Sequence, residues 1–383
     1  MGVRCELALH IVPALEEQTI QRNRANFDLA VIGGGIVGLW ATRFAIHRGL
    51  SVALIEKNQI GGGASGGILG ALMPHQPRPW NAKKQSQFEA LVEMEQLCAA
   101  LESETGLSTG YRRAGRLMPI ASEKLLERQE SWADGAREHW RSRTVEDERQ
   151  YSWTVSSSAD PFGLLAEFAT TFGHAFDDFS AVVTPRKLVA ALKAAVETSA
   201  TIYEQSQPLS WDEASCCLEI EGESLAVRNL LVTAGADSTA ILNDLGIDEK
   251  AASPITGIKG QGALLRPKMS TRDDIPMIYG DGIYLIPHED GTVGVGSTTE
   301  KEWSNAHATD EKLDGLLRKA TALCPWLDDY SVIERWAQLR PKGPTANPVV
   351  EQIDDRAVLA SGGYKTGLAF APTMARLAID LLS

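Results

Sequence analysis

Two periodicities alternate along the chain, and they predict its elements. "FDLAVIGGG" (27–35) carries the apolar run Leu29–Ile32 up to its glycines, the pattern of a strand buried on both faces. "IVGLWATRFAIHRG" (36–49) spaces its apolar residues at the helical period and stops at Gly49. "SVALIEKN" (51–58) is a second apolar strand, ending in Glu56. Together these predict a β-α-β unit. Helical spacing recurs over 81–105, 122–142, 184–199 and 309–323, and most clearly in "TPRKLVAALKAAVETS". "GRLMPIAS" (115–122) and "TIYE" (201–204) read as strands, and 209–235 as short strands with turns. "DGIYLIPHEDGTVGVGST" (281–298) predicts a hairpin turning near Asp290–Gly291. A strand "AVLASGG" and a helix "GLAFAPTMARLAIDLL" close the chain, while 145–180 shows little periodicity.

Composition narrows the class. The chain has 383 residues, 44% hydrophobic and 23% charged, enough for a sizeable core in more than one domain. Its net charge of -13 argues against a nucleic-acid partner, which would need a clustered basic surface. No apolar stretch reaches the ~18 residues of a membrane span. Glu6, His10 and Pro13 interrupt the early apolar run, so residues 1–26 read as an extension ahead of the fold and not as a signal peptide. The five cysteines, Cys5, Cys98, Cys216, Cys217 and Cys324, form no C-x-x-C pair and suggest neither a metal site nor a disulfide framework. A reducing, cytoplasmic setting is expected.

Gly33, Gly35 and Gly38 make up a G-x-G-x-x-G motif between strand and helix. The first glycine serves the tight turn, the second admits a pyrophosphate, and the third lets helix and strand pack closely. The helix N-terminus offers N–H groups to the anion. Glu56 lies at the spacing where an acidic residue bonds a ribose hydroxyl. The strand, helix and acid together predict a dinucleotide site, without choosing between NAD and FAD.

From "GGGASGGILGALMP" onward the chain resembles the D-amino-acid oxidase superfamily of flavoproteins. It is similar in particular to the glycine oxidase branch and to the oxidative domain of the bifunctional enzyme that modifies the tRNA wobble uridine. "FSAVVTPRKLVAALKAAV", "NLLVTAGADS", "IKGQ", "GIYLIPHEDGTVGVGST", "WAQLRP" and "ASGGYKTGLAFAPTMARLAIDLL" match family segments in order. The resemblance implies an α/β fold. A doubly wound, Rossmann-like FAD-binding domain (27–110, 181–252, 345–383) would be interleaved with a β-rich α+β substrate domain (111–180, 253–344). It implies non-covalent FAD, because no cysteine occurs between Leu339 and Ser383, where sarcosine oxidases attach theirs.

The resemblance also assigns residues. Cofactor contacts fall on Gly33, Gly35, Ile36, Gly38, Glu56 and Lys57, on the loop Gly63, Ala64, Ser65 and Gly66, and on Ala234 and Gly235. Gly363, Lys365, Thr366 and Gly367 meet the flavin from the last turn. A cap of the closing helix by Thr366 is the plain alternative there. Arg340 is placed over the flavin, where a guanidinium can hold a carboxylate by two parallel hydrogen bonds. Tyr284 is the hydrogen-bonding partner at the substrate, or else a strand aromatic that only packs. His75, His288 and His307 are given no catalytic role.

Several positions depart from the pattern. His288 stands for the usual arginine, Gln338 for a glycine, and Gly363 where a histidine is common; the Asp-Gly pair after Arg340 is missing. The implied reaction is oxidation of a glycine-like, N-methylated or D-amino acid to an imine. Oxygen or another electron acceptor completes it, and the residues mainly position the substrate. The alternatives are tRNA wobble-uridine oxidation, and a flavin-binding protein with a degraded site.

Overall fold

The computed structural model describes residues 26–143, 148–247, 252–269 and 275–382. The N-terminal extension up to residue 25, with Cys5, lies outside the described residues. In chain order the strands are β1 (Asn26–Ile32), β2 (Val52–Glu56), β3 (Ala71–Leu72), β4 (Arg116–Pro119), β5 (Arg141–Arg143), β6 (Glu148–Gln150), β7 (Trp153–Ser156), β8 (His174–Asp177), β9 (Ala181–Val182), β10 (Ala200–Glu204), β11 (Pro208–Asp212), β12 (Cys217–Ile220), β13 (Glu223–Val232), β14 (Thr256–Pro267), β15 (Met277–Gly280), β16 (Ile283–Pro287), β17 (Val293–Gly296), β18 (Tyr330–Lys342), β19 (Val349–Gln352) and β20 (Ala357–Ser361). The helices are α1 (Ile36–His47), α2 (Ala82–Thr105), α3 (Glu123–His139), α4 (Pro185–Val196), α5 (Ser238–Asp244), α6 (Glu311–Leu323) and α7 (Gly367–Leu381).

The first sheet runs β10-β2-β1-β13, all parallel, and β20 joins β13 in parallel at its far half. β12 pairs antiparallel with the near half of β13 and carries β11 at the edge, while β19 pairs antiparallel with β20. Both faces are covered, which accounts for the unbroken apolar runs. Leu29, Val31, Val52, Leu54, Leu231 and Val358 enter one core, with side chains of α1, α2, α4 and α7. Ala30, Ile32, Ala53, Ile55, Leu230, Val232 and Leu359 enter the opposite core, beneath α5.

The second sheet is ordered β18-β14-β17-β16-β15-β4-β8-β7. It is antiparallel throughout except where β4 runs parallel to β15. One face packs Leu117, Ala263, Leu265, Ile278, Leu285, Val293 and Val295 against α6. Paired residues share a face, so the other face carries Arg116, Met277, Tyr279, Tyr284, Gly294, Gly296, Gly262, Trp336 and Arg340. The "VGVG" of β17 thus divides its valines from its glycines. A Cβ on Gly294 would lie 2.2 Å from the Ile68 carbonyl, and one on Gly296 2.8 Å from the Leu69 side chain. The loop after β2 can lie on this sheet because glycine paves the contact.

Candidate active site

A cleft of about 590 Å³ opens where the carboxyl ends of β1, β2, β13 and β20 face the glycine-paved side of the second sheet. That is the position at which open α/β sheets bind ligands, and the volume suits a small-molecule or cofactor site.

The glycine turn is built for close approach. Gly33 has φ +112, and a Cβ there would meet the Thr233 carbonyl at 2.7 Å. Gly38 packs α1 on β1: its Cβ would stand 2.0 Å from the Gly33 carbonyl oxygen and 2.7 Å from Thr233 Oγ1. Gly35 differs from both. A Cβ there meets only Ser65 Oγ, at 3.2 Å, and otherwise points into the cleft. Gly35 also leaves α1 without a side-chain cap of its own. The Ile36 N–H donates instead to Ser65 Oγ at 2.9 Å, so the loop after β2 closes over the helix N-terminus.

Glu56, expected at a ribose, is held by the turn itself. Its Oε2 accepts the Gly34 N–H at 2.8 Å and its Oε1 the Asn58 N–H at 2.9 Å, so it braces the glycine turn while lining the cleft. Lys57 pairs with Asp237 at 2.5 Å across the mouth. Gly63, Ala64, Ser65, Ala234, Gly235, Gly363, Lys365, Thr366 and Gly367 all line the wall. Two of the expected contacts sit behind it: Gly38 and Gly66 do not line the cleft. Gly66 has its carbonyl held by Arg186 Nε at 2.9 Å, and its Cβ would press on the Gly61 carbonyl at 2.4 Å.

Thr366 does not cap α7. Its hydroxyl donates back to the Gly363 carbonyl at 3.0 Å, and the helix N-terminus keeps no side-chain cap where it meets the cleft. The uncapped N-terminus of α7, the N-terminus of α1 with Ser65 beside it, a glycine-lined wall and an acid after β2 make a cradle that fits a dinucleotide diphosphate. No cysteine lines the cleft among the described residues, so a thioether to a flavin has no partner there.

The far end of the cleft is cationic. Arg340, half-buried on β18, donates Nη1–H to Ser297 Oγ at 2.9 Å and Nη2–H to the Thr298 carbonyl at 2.6 Å. It lies over the Tyr364 ring at 5.5 Å. Gly260 leaves the room it occupies, since a Cβ there would meet Arg340 Cζ at 2.7 Å. Its buried Nε has no hydrogen-bond partner, and among the described residues Arg340 has no carboxylate partner. The lining carboxylates among the described residues, Glu56 and Asp237, both sit at the strand ends. Burial pulls the Arg340 pKa down, and Tyr364, Tyr284 and Glu300 oppose that. Burial and then Arg340 likewise pull down Lys365.

Tyr284 faces the cleft, as does Tyr279, which pairs with it across the β15–β16 hairpin with ring centroids 4.8 Å apart. Burial first, then Tyr279, pushes the Tyr284 phenol up to about 12. His288 lies behind this surface. Its Nε2 donates to the Leu69 carbonyl at 3.0 Å and its Nδ1 is 3.1 Å from Thr292 Oγ1. It therefore fastens the loop over the sheet, where the family pattern has an arginine. Gln338, another departure, donates to the Gly62 carbonyl at 3.3 Å and ties β18 to the same loop.

The sequence reading missed Tyr279, Ser297, Trp336, Tyr364 and Arg116, all of which line the cleft. One signal was available. "YGDGIY" carries Asp281–Gly282, an Asp-Gly turn with φ +50 and +76, which sets Tyr279 opposite Tyr284. Among the described residues no cluster is placed to hold a metal ion. Nor is any described helix long and apolar enough to cross a membrane.

A glycine-turn cleft of this kind, at the carboxyl ends of a parallel sheet, is that of a dinucleotide-binding protein. Residues 28–381 match the family described as DAO: FAD dependent oxidoreductase, and the chain belongs to it. The chain is 30% identical over 375 residues to glycine oxidase of Pseudomonas aeruginosa, with 93% of this chain and 94% of the relative covered. It is 27% identical to the bifunctional protein ThiO/ThiG of Synechocystis, matching 93% of this chain but 51% of that protein. The crystal structure of glycine oxidase from Geobacillus kaustophilus superposes with a TM-score of 0.80 at 20% identity, covering 94% of this chain and 95% of the other.

Proposed function

We propose that the protein oxidises a carboxylate-bearing amine or amino acid to the imine, which water hydrolyses to an oxo acid. The observation that supports this most is Arg340, a half-buried guanidinium at the cleft with its Nε unpartnered and no described carboxylate to pair with. A substrate carboxylate would supply the missing anion by charge-assisted hydrogen bonds. FAD, when bound, accepts the two electrons, which pass on to oxygen or another acceptor. Tyr284 stays a neutral phenol at ordinary pH and offers a hydrogen bond, not a base. Glu56, Ser65, Ile36 and the turn at Gly363–Gly367 would hold the cofactor, and Arg340 would orient the substrate over it. A small acidic metabolite suits this cationic pocket better than tRNA does, since the chain as a whole is acidic.

Anaerobic mixing of the yellow holoenzyme with a panel of glycine, N-methylated and D-amino acids should bleach the flavin with at least one of them. Flavin that stays oxidised across the panel would refute the reading and leave a cofactor-binding protein with a degraded site.

The pH dependence follows from the same geometry. With the Tyr284 phenol pushed up to about 12, its neutral form persists through the range of substrate amines. The rise of kcat/KM with pH should therefore follow the amine pKa of the substrate. Tyr284→Phe should keep that alkaline limb while lowering the rate about tenfold, the scale of one lost hydrogen bond to a charged group. A limb that vanished in Tyr284→Phe would assign it to the phenol.

A further inference from the structure

Arg116 plays no part in the reading above, yet it is the most deeply buried cation at the cleft. It begins β4, is 3% exposed, and lies beside Met277 on the face that also carries Tyr279 and Tyr284. Its Nε donates to Asp177 Oδ2 at 2.7 Å, and the guanidinium lies 5.0 Å from the Trp153 ring centroid. Asp177 is itself fully buried, and its second oxygen accepts the Ser180 N–H at 2.7 Å. The Nε side of Arg116 is thus held, while its buried Nη2 has no hydrogen-bond partner.

A buried donor left unmade costs about 1–3 kcal/mol, and more for a charged group. A pocket meant only for a glycine-sized molecule has no use for that cost, because Arg340 already meets its one carboxylate. On this face of the sheet Tyr284, on β16, stands between Arg116 on β4 and Arg340 on β18, and both cations act on its phenol. His75 lines the cleft within the influence of Arg116; burial, then Lys83, Lys84 and Arg116, push its pKa down and favour the neutral ring.

We propose that the substrate carries a second carboxylate and that Arg116 reads it. The compound class is an amino dicarboxylic acid or an N-carboxymethyl amino acid. One carboxylate lies on Arg340, the reacting carbon lies near Tyr284, and the second carboxylate takes the free terminal N–H groups of Arg116. Asp177 offsets the charge of Arg116, so recognition comes from directed hydrogen bonds and not from net attraction. This proposal rests on the amine-oxidation reading and specifies its substrate class.

The test compares holoenzyme kinetics on iminodiacetate and D-glutamate with those on sarcosine and D-alanine, by anaerobic flavin reduction. At least one dicarboxylate should exceed its monocarboxylate partner about tenfold or more in kcat/KM, the worth of a charge-assisted contact. Arg116→Lys keeps a cation opposite Asp177 and so protects the fold, but loses the planar fork. In it the dicarboxylate-to-monocarboxylate ratio should fall about tenfold, mainly through KM. The double change Arg116→Met with Asp177→Asn, which removes both members of the pair, should abolish the preference. Succinate, compared with butyrate, should also perturb the flavin spectrum in the parent and not in the double variant. Reduction by monocarboxylates with no dicarboxylate preference overturns this proposal and leaves amine oxidation standing. Equal losses on both series overturn it too and make Arg116 structural. A flavin reduced by neither series overturns amine oxidation and this proposal with it.

Discussion

Arg340→Ala is expected to keep FAD bound and to lower kcat/KM on a carboxylate-bearing amine by roughly two to four powers of ten. That corresponds to about 3–5 kcal/mol, the cost of taking one member from a buried ion pair. Two losses combine. The bidentate contact disappears, and the carboxylate enters a desolvated cleft with no partner. The fold should survive, because the donors that Arg340 gives up serve Ser297 Oγ and the Thr298 carbonyl at the cleft, where water can replace them. Arg340→Lys should recover only part of the rate, since an ammonium cannot reproduce the fork that spans these acceptors and the substrate. The measurement is steady-state kinetics on an amino acid and on its decarboxylated amine. The variant should lose far more on the first; equal losses would mean that Arg340 serves the scaffold or the flavin.

Gly35→Leu should yield a folded, colourless protein, whereas Gly38→Leu should not fold properly. The two glycines belong to one motif, but their surroundings differ. At Gly35 a Cβ meets only Ser65 Oγ, so the protein tolerates it and the side chain takes the diphosphate's place. Overpacking costs about 1–3 kcal/mol, and lost hydrogen bonds to a charged group about 1.5–3 more, so FAD affinity should fall by roughly two to four powers of ten. At Gly38 the clash is with the Gly33 carbonyl at 2.0 Å, which is backbone and cannot turn aside. α1 would be pushed off β1, and the loss is to stability before it is to binding. Circular dichroism, thermal melting and flavin absorbance separate the outcomes. A Gly35→Leu protein that stayed yellow would remove the diphosphate from that turn.

Much of this was legible in the chain. The β-α-β unit over 27–58, the closing strand and helix, the hairpin near Asp290 and most helix limits agree with the structure, among them 81–105 against Ala82–Thr105. Such features depend on local period and turn chemistry, which act over a few residues. The glycines of the motif were readable for the same reason, since only glycine suits the positive φ of Gly33 or the contact at Gly38.

Other features had no local sign. A helix cap was the plain alternative for Thr366, and its hydroxyl instead bonds back to Gly363, a choice made by the turn's own geometry. Ser65 serves the N-terminus of α1 from a different loop, and Glu56 holds Gly34 from the next strand. Arg116 reads in the sequence as one charge in a short strand. Only the pairing of β4 with β15, and of β15 with β16, sets it beside Tyr279 and Tyr284, while β18 brings Arg340 in from the opposite edge through β14 and β17. By itself, then, the sequence determined the long helices, the first β-α-β unit, the dinucleotide turn and the presence of an arginine after "WAQL", whereas β6, β7 and β8 lie in the stretch 145–180 that showed little periodicity. The tertiary structure alone decided which side chains share the cleft. Register between strands far apart in the chain is set by which faces can be buried together, and a shift of one residue would turn every one of these groups to the other side of the sheet.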